Sequence, residues 1–313
     1  MTMSKIRLSH LIPMYRSGRF LDSIAHNIQE LARPDTEVIL ADRNGDEAFC
    51  SSLRDRFANL PNVQVICDNS NLTWVGNMSD LMARASGETF QIVPHDDVTS
   101  REAADKLYTA LMDAPDAVLA YGYSEGYTLD WKHIPHADQP RGAVELLGPS
   151  PWRLSDALEL MWMDRFNGAF KGVIRSEVLR NPALQFQSTK STILSERAWL
   201  FALALTGGFV FEPVRMFKKR FYPESTHRSW EMSPTVFLDL EKVMISYAEA
   251  IFASDPERRE DVIRDIMLNA ACRRRGIRKG QGLELVHHSL YDQVVAGRLD
   301  AAISWRESSN GIA

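Results

Sequence analysis

Along residues 1–125, short apolar runs alternate with stretches whose apolar positions recur every three to four residues. Ile6–Ile12, Glu37–Ala41, Val63–Cys67, Thr89–Val93 and Ala117–Tyr121 read as strands, because brief apolar runs bounded by polar or turn-forming residues suit a sheet covered on both faces. Between them, Phe20, Ile24, Ile28 and Leu31 fall on one helical face. So do Phe49, Leu53, Phe57 and Leu60, and again Ala103, Leu107 and Leu111. Ser100 supplies a start for the last of these helices without completing a capping box. Strand and helix in alternation imply right-handed crossovers and a mostly parallel, Rossmann-like sheet flanked by helices, an α/β architecture.

The pattern then changes. Gly122–Pro151 is rich in Tyr, His, Pro and Gly and reads as loop. Beyond it the periodicity predicts a helix near Leu154–Trp162, a strand near Ala169–Ile174 and a helix over Ser195–Leu205. Strands follow over Phe209–Phe211 and Val214–Phe221, and from Pro234 the pattern is helical almost to the end. The expected organisation is one domain over residues 1–230, in two halves (1–125 and 126–230), followed by a helical C-terminal region over 231–313. There is no internal repeat and no low-complexity segment.

Composition narrows the function classes more than the fold. The 313 residues are 45% hydrophobic and 25% charged, ordinary for a chain that buries a core. A net charge of -5 argues against a nucleic-acid partner. The opening residues lead into the first apolar run without a signal-peptide core, and the most apolar stretch, Ala198–Leu205, is too short to span a bilayer. Cys50, Cys67 and Cys272 form no CxxC pair and suggest neither a disulfide framework nor a zinc site, so a reduced cytoplasm is expected. Arg273–Arg275, Arg278 and Lys279 follow an amphipathic stretch containing Ile263, Ile266, Met267 and Ala270. A solvated helix end is the stronger reading of that basic run; peripheral contact with anionic headgroups at the inner membrane face, or with a phosphorylated acceptor, is the other.

Open parallel sheets bind ligands beyond the carboxyl ends of their strands. Those ends here are Pro13-Met14-Tyr15, Asp42-Arg43-Asn44-Gly45-Asp46, Asp68-Asn69-Ser70-Asn71 and His95-Asp96-Asp97. Adjacent carboxylates repel one another unless a cation offsets them. Asp96 and Asp97 beside His95 suit a hard divalent ion, Mg²⁺ or Mn²⁺, that also bridges phosphate oxygens. The plainer alternative has one acid capping the next helix and the other solvated.

Several segments together resemble the family-2 glycosyltransferases of the GT-A fold. IRLSHLIPMYRSGRF resembles that family's opening strand and Pro-x-Tyr turn, and EVILADRNGD its second strand with an acidic nucleotide-contacting turn. NLTWVGNMSDLMARASGETFQIVPHDD resembles the stretch from an Asn-bearing helix to the Asp-x-Asp metal motif. SERAWL from Ser195 resembles the segment carrying the general base, and KKRFYPEST from Lys218 the closing tyrosine/arginine-rich motif. The family's first metal-motif acid would fall on Pro94, so this chain keeps Asp96 and Asp97 only; the base segment has Ser195-Glu196 where the family has Glu-Asp.

The resemblance implies a metal-dependent, inverting hexosyltransferase. It would move a sugar from a UDP- or GDP-type donor to a glycan, lipid-linked or protein acceptor in surface-polysaccharide or glycoconjugate synthesis. Residues 1–125 would be the nucleotide-binding half, 126–230 the acceptor half, and the helical tail an acceptor contact or homo-oligomer interface. Asp96 would carry the metal with His95 or Asp97 assisting. Pro13, Tyr15, Asp42, Asn71 and Asn77 would hold the nucleotide, and Arg220 and Tyr222 the diphosphate. Glu196 would be the base, with Asp164 its rival. Each has a plainer role: Asp42 as a turn former, Tyr15 as core rim, Glu196 as a favourable charge at a helix N-terminus, Arg220 as a surface arginine. Trp152, Trp162 and Trp230 could stack on sugars but more often such residues pack. Two other functions share the sheet: a sugar-phosphate nucleotidyltransferase, for which a glycine-rich phosphate loop is missing, and a non-catalytic nucleotide- or glycan-binding protein.

Overall fold

The structure is a computed structural model that describes residues 5–135, 164–225 and 233–274. Its centre is an eight-stranded mixed sheet. The first half alternates as the pattern predicts: β1 (Leu8–Met14), α1 (Leu21–Leu31), β2 (Thr36–Asp42), α2 (Glu47–Arg56), β3 (Val63–Cys67), α3 (Trp74–Arg84), β4 (Thr89–Ile92) and α4 (Arg101–Met112). These strands lie in the order β3-β2-β1-β4, all parallel. Local chemistry starts the helices. The side chains of Asp46, Thr73 and Ser100 accept from the backbone N–H groups of Phe49, Gly76 and Ala103, covering donors that a first turn leaves unpaired. The apolar stripes then close on the sheet, and Phe20, Ile24, Ile28, Leu31, Leu53, Leu107 and Leu111 are all buried.

The second half departs from the pattern wherever long-range pairing outweighs local composition. The region read as loop from Gly122 instead continues β5 (Ala117–Tyr127), which turns back into the short β6 (His133–Ile134). What holds this glycine- and tyrosine-rich run extended is β8 (Gly208–Arg220), parallel to it along its length. The two strands expected over 209–221 are this single strand, bulged where Pro213 cannot donate to a ladder. Opposite the bulge sits Gly122, where a Cβ would stand 2.2 Å from the Val214 carbonyl oxygen.

The strand expected over 169–174 is shorter and shifted. A 3-10 stretch, Asp164–Lys171, leads through Gly172 to β7 (Val173–Arg175), which inserts antiparallel between β4 and β5. α5 (Ser195–Ala204) is buried on almost every side. The tail forms α6 (Pro234–Ile251) and α7 (Pro256–Arg274). α6 is tied to the main body by Tyr247, whose hydroxyl donates to the Gln185 carbonyl at 2.8 Å and accepts from the Gln187 N–H at 2.9 Å. The helix expected near Leu154–Trp162, Trp230 and the basic run beyond Arg274 lie outside the described residues. No described helix is long and apolar enough to cross a membrane. Cys50 on α2 is a buried free thiol and Cys67 on β3 a partly buried one.

The Gly122 contact yields a test of the β5–β8 seam. Gly122→Ala should lower unfolding stability by roughly 1–3 kcal/mol, the usual cost of forcing a methyl into a filled space, measured by urea unfolding. A variant as stable as the parent would mean that the bulge is not held as described.

Candidate functional site

The parallel strands β3, β2, β1 and β4 end side by side, about 4.8 Å apart, so their last residues form one rim. Two clusters of charge occupy it. The first is built on Arg43, which follows β2 and is buried. Its guanidinium reaches Asp68 after β3, Asp80 on α3 and the Asn77 Oδ1 at 3.2 Å, while the Asn77 amide donates to the Ala41 carbonyl at 3.1 Å. Asp42, fully buried, accepts the N–H groups of Asn44 (2.9 Å) and Asp46 (3.4 Å) on Oδ1; its Oδ2 has no partner. Asn71 is exposed with a left-handed φ of 51°, and its amide donates to the Asn69 carbonyl. Ser70 and then Arg43 hold the Asp68 carboxyl below its usual range.

The second cluster forms where β1, β4 and β8 end. His95 sets Nδ1 3.0 Å from the Pro13 carbonyl and packs its ring on Phe20. Asp97 is 2% exposed and fully engaged: Oδ2 takes the Lys171 ammonium at 2.7 Å and Oδ1 the Arg220 N–H at 3.0 Å. Burial pushes Asp97 upward, and the Lys171 ammonium is what favours its charged form. Asp96 differs. Burial opposes its ionisation too, but His95, Lys171 and the Tyr222 hydroxyl outweigh it and hold the carboxyl below its ordinary value. Tyr222 donates to Asp96 Oδ2 at 2.8 Å.

Arg220 is 8% exposed, with Nε buried and unpartnered. Its guanidinium lies 5.6 Å from the Phe20 ring centroid and 3.9 Å from that of Trp131. Tyr15 stands half-exposed at the rim with the Arg16 guanidinium over its ring.

Glu196 opens α5. The helix ends just before β8, which begins beside Ala117 at the start of β5. The residue is 7% exposed, its Oε2 has no partner, and burial raises its pKa. Asp164 opens the 3-10 stretch that ends at Lys171.

This architecture has solved counterparts. S. aureus TarS 1-349 in complex with UDP-GlcNAc aligns with 95% of this chain and 83% of its own, at a TM-score of 0.62 and 14% identity. The mannosyltransferase PcManGT from Pyrobaculum calidifontis, in complex with GDP-Man and Mn²⁺, aligns over 95% and 87% at a TM-score of 0.50 and 14% identity. The fold is that of the GT-A glycosyltransferases. No family model matches the sequence, and no curated protein matches it.

On this GT-A sheet eight of the residues singled out in the sequence fall into two groups. Pro13, His95, Asp96, Asp97, Arg220 and Tyr222 gather at one end of the rim; Asp42 and Asn77 share the other with Arg43. Asp96 keeps an oxygen clear of Tyr222, whereas both Asp97 oxygens are taken inside the protein. No three acidic, His or Cys side chains converge among the described residues. Asp96, with one oxygen clear of Tyr222, is the rim carboxylate that could contribute to holding a divalent ion. Sequence reasoning missed Lys171, Arg43 and Trp131. Nothing in the pattern marks Lys171, 74 residues from its partner.

Two stability tests follow from the burial of these acids. Asp97→Asn removes the carboxylate that pairs with the Lys171 ammonium and should cost roughly 2–4 kcal/mol in urea unfolding, as loss of one member of a buried pair does. Glu196→Gln should act in the opposite sense. A folded-state pKa raised above the unfolded 4.5 means that the protonated carboxyl is favoured by folding and the carboxylate penalised, so native Glu196 loses stability as pH rises through its folded value. The glutamine variant should melt higher than the parent at pH 7, with the difference vanishing below about pH 4.5. Parallel melting curves at all pH values would show that Glu196 is not buried as a carboxylate.

Proposed function

We propose that this chain is a glycosyltransferase that moves a sugar from a UDP- or GDP-type nucleoside diphosphate to an acceptor hydroxyl on a glycan, lipid-linked or protein acceptor, with inversion. The observation that carries the reading is the state of Arg220: a buried guanidinium at the rim of a GT-A sheet, favoured by the charges of Asp96 and Asp97 but in direct ion-pair contact with no described acid, its Nε without a partner. A buried cation is costly unless paired, and a diphosphate supplies the missing charge in bidentate form. Two solved neighbours support a nucleotide-sugar ligand, TarS being in complex with UDP-GlcNAc and PcManGT with GDP-Man.

Under this reading Asp42 and Asn77 border the nucleoside end of the rim with Tyr15 and Asn71, and Arg220 and Tyr222 hold the diphosphate. Asp96 would hold a Mn²⁺ or Mg²⁺ ion, which supplies charge balance for the departing diphosphate. Tyr222 fixes the orientation of that carboxyl by donating to Oδ2. Lys171 and Asp97 keep each other neutral as a pair and hold β8 against the end of β4. Glu196 takes the proton from the acceptor hydroxyl as it attacks; its raised pKa brings the base nearer to the working pH and so strengthens it. Asp164 is the alternative base.

The test is release of nucleoside diphosphate from UDP-GlcNAc and GDP-mannose, with and without Mn²⁺. A transferase leaks slow, metal-dependent release in water, a nucleotidyltransferase forms pyrophosphate, and a binding protein releases nothing. Asp96→Asn should abolish the metal-dependent part of nucleoside diphosphate binding. Glu196→Gln should lower transfer about 10²-fold or more while leaving donor binding near the parent value. Undiminished transfer in Glu196→Gln would move the base to Asp164.

A further inference from the structure

Trp131 occupies an unusual place. It lies in the tight turn between β5 and β6, with a φ of 62°, a left-handed conformation that bulky residues avoid. The turn imposes it. The Trp131 N–H donates to the Thr128 carbonyl at 3.1 Å, the Thr128 N–H donates to the Lys132 carbonyl at 2.9 Å, and the Thr128 hydroxyl accepts from the Lys132 N–H at 3.0 Å while donating to Asp130. The indole is 37% exposed, so burial of its own surface does not account for the strain. What it gains is contact with Arg220, whose guanidinium carbon sits 3.9 Å from its ring centroid, and edge contact with Tyr127 at 5.9 Å. Arg220 also meets Phe20, whose ring centroid lies 5.6 Å from the guanidinium carbon, and Phe20 itself packs on Tyr222 and His95.

We propose that Trp131 is a positioning residue for diphosphate binding. With Phe20 it flanks the Arg220 guanidinium with aromatic rings and holds at the rim a cation that pairs directly with no described acid. This rests on the nucleotide-sugar reading above and adds to it a residue contributed by the β5–β6 turn. Aromatic faces attract a cation without consuming its N–H donors, so the fork stays available to phosphate oxygens. An acidic partner in the same position would hold Arg220 equally well but would compete with the ligand. Strain kept in a turn that contacts a binding arginine is the pattern expected when a backbone conformation serves a site rather than the fold.

The two effects of Trp131 run in opposite directions, and that makes the inference testable. Trp131→Gly suits the left-handed turn, so the full-length variant should melt at the parent temperature or above it. Its affinity for UDP or GDP, measured by calorimetry, should fall roughly 3- to 30-fold, the span expected for a cation–π contact at a partly desolvated site. Trp131→Phe should restore most of that affinity. In an Arg220→Gln background, Trp131→Gly should change the affinity less than about twofold, since the group it positions is gone. Trp131→Asn, which also tolerates the turn, gives the same contrast if the glycine variant unfolds without cooperativity. Parent-like affinity in Trp131→Gly, or an undiminished loss in the Arg220→Gln background, would overturn the proposal. If the parent binds UDP or GDP and only Arg220→Gln weakens it, the nucleotide-sugar reading stands and the role of Trp131 falls. If the parent binds neither nucleotide, both fall.

Discussion

A carboxylate taken out of water must find its compensation inside the protein, and Asp97 organises the centre of this molecule on that condition. Its oxygens hold Lys171, just ahead of β7, and the backbone at the end of β8; its carbonyl accepts from Asn27 of α1. Asn27 in turn accepts from the Thr99 N–H, and the Thr99 hydroxyl donates to the Met216 carbonyl of β8. Residues separated by up to 123 positions are thereby fixed around a single side chain. Asp97 is fully used by the fold, whereas its neighbour Asp96 keeps one oxygen clear of Tyr222.

The other end of the rim repeats the logic with the sign reversed. Arg43 is a buried cation satisfied by Asp68, Asp80 and Asn77, so the ends of β2 and β3 and the face of α3 share one guanidinium. Arg220 is the exception. It is nearly as buried as Arg43, yet it is held by rings rather than by acids. Of these two buried rim arginines, Arg43 is spent on structure, while Arg220 makes no direct ion pair with a described acid.

The sequence makes the first four strands and their helices readable because each is specified locally, by an apolar period and a capping residue such as Ser100 or Asp46. It does not reveal β5 beyond Tyr121 or the unity of β8, because those extended stretches exist only through each other. Pro213 and Gly122 were signals in hindsight: a proline inside an apolar alternation, with a glycine on the partner strand where no side chain fits. The site divides in the same way. Asp96 and Asp42 are legible as acids at strand ends. Lys171 and Trp131 are not, since a charge pair across 74 residues and a left-handed backbone angle leave no periodic trace.

The insertion of β7 between β4 and β5 also dictates an order of events during synthesis. The four parallel strands are complete once Ile92 has emerged from the ribosome, and N-terminal units generally begin to fold while the remainder is still being made. Asp97 leaves soon afterwards, but its ammonium partner follows 74 residues later and its N–H partner 123 residues later. Throughout that interval the carboxylate has no internal partner and belongs in water, so the rim cannot close over it. The growing chain thus carries a built-in hold on its own centre, released only when β8 is in hand.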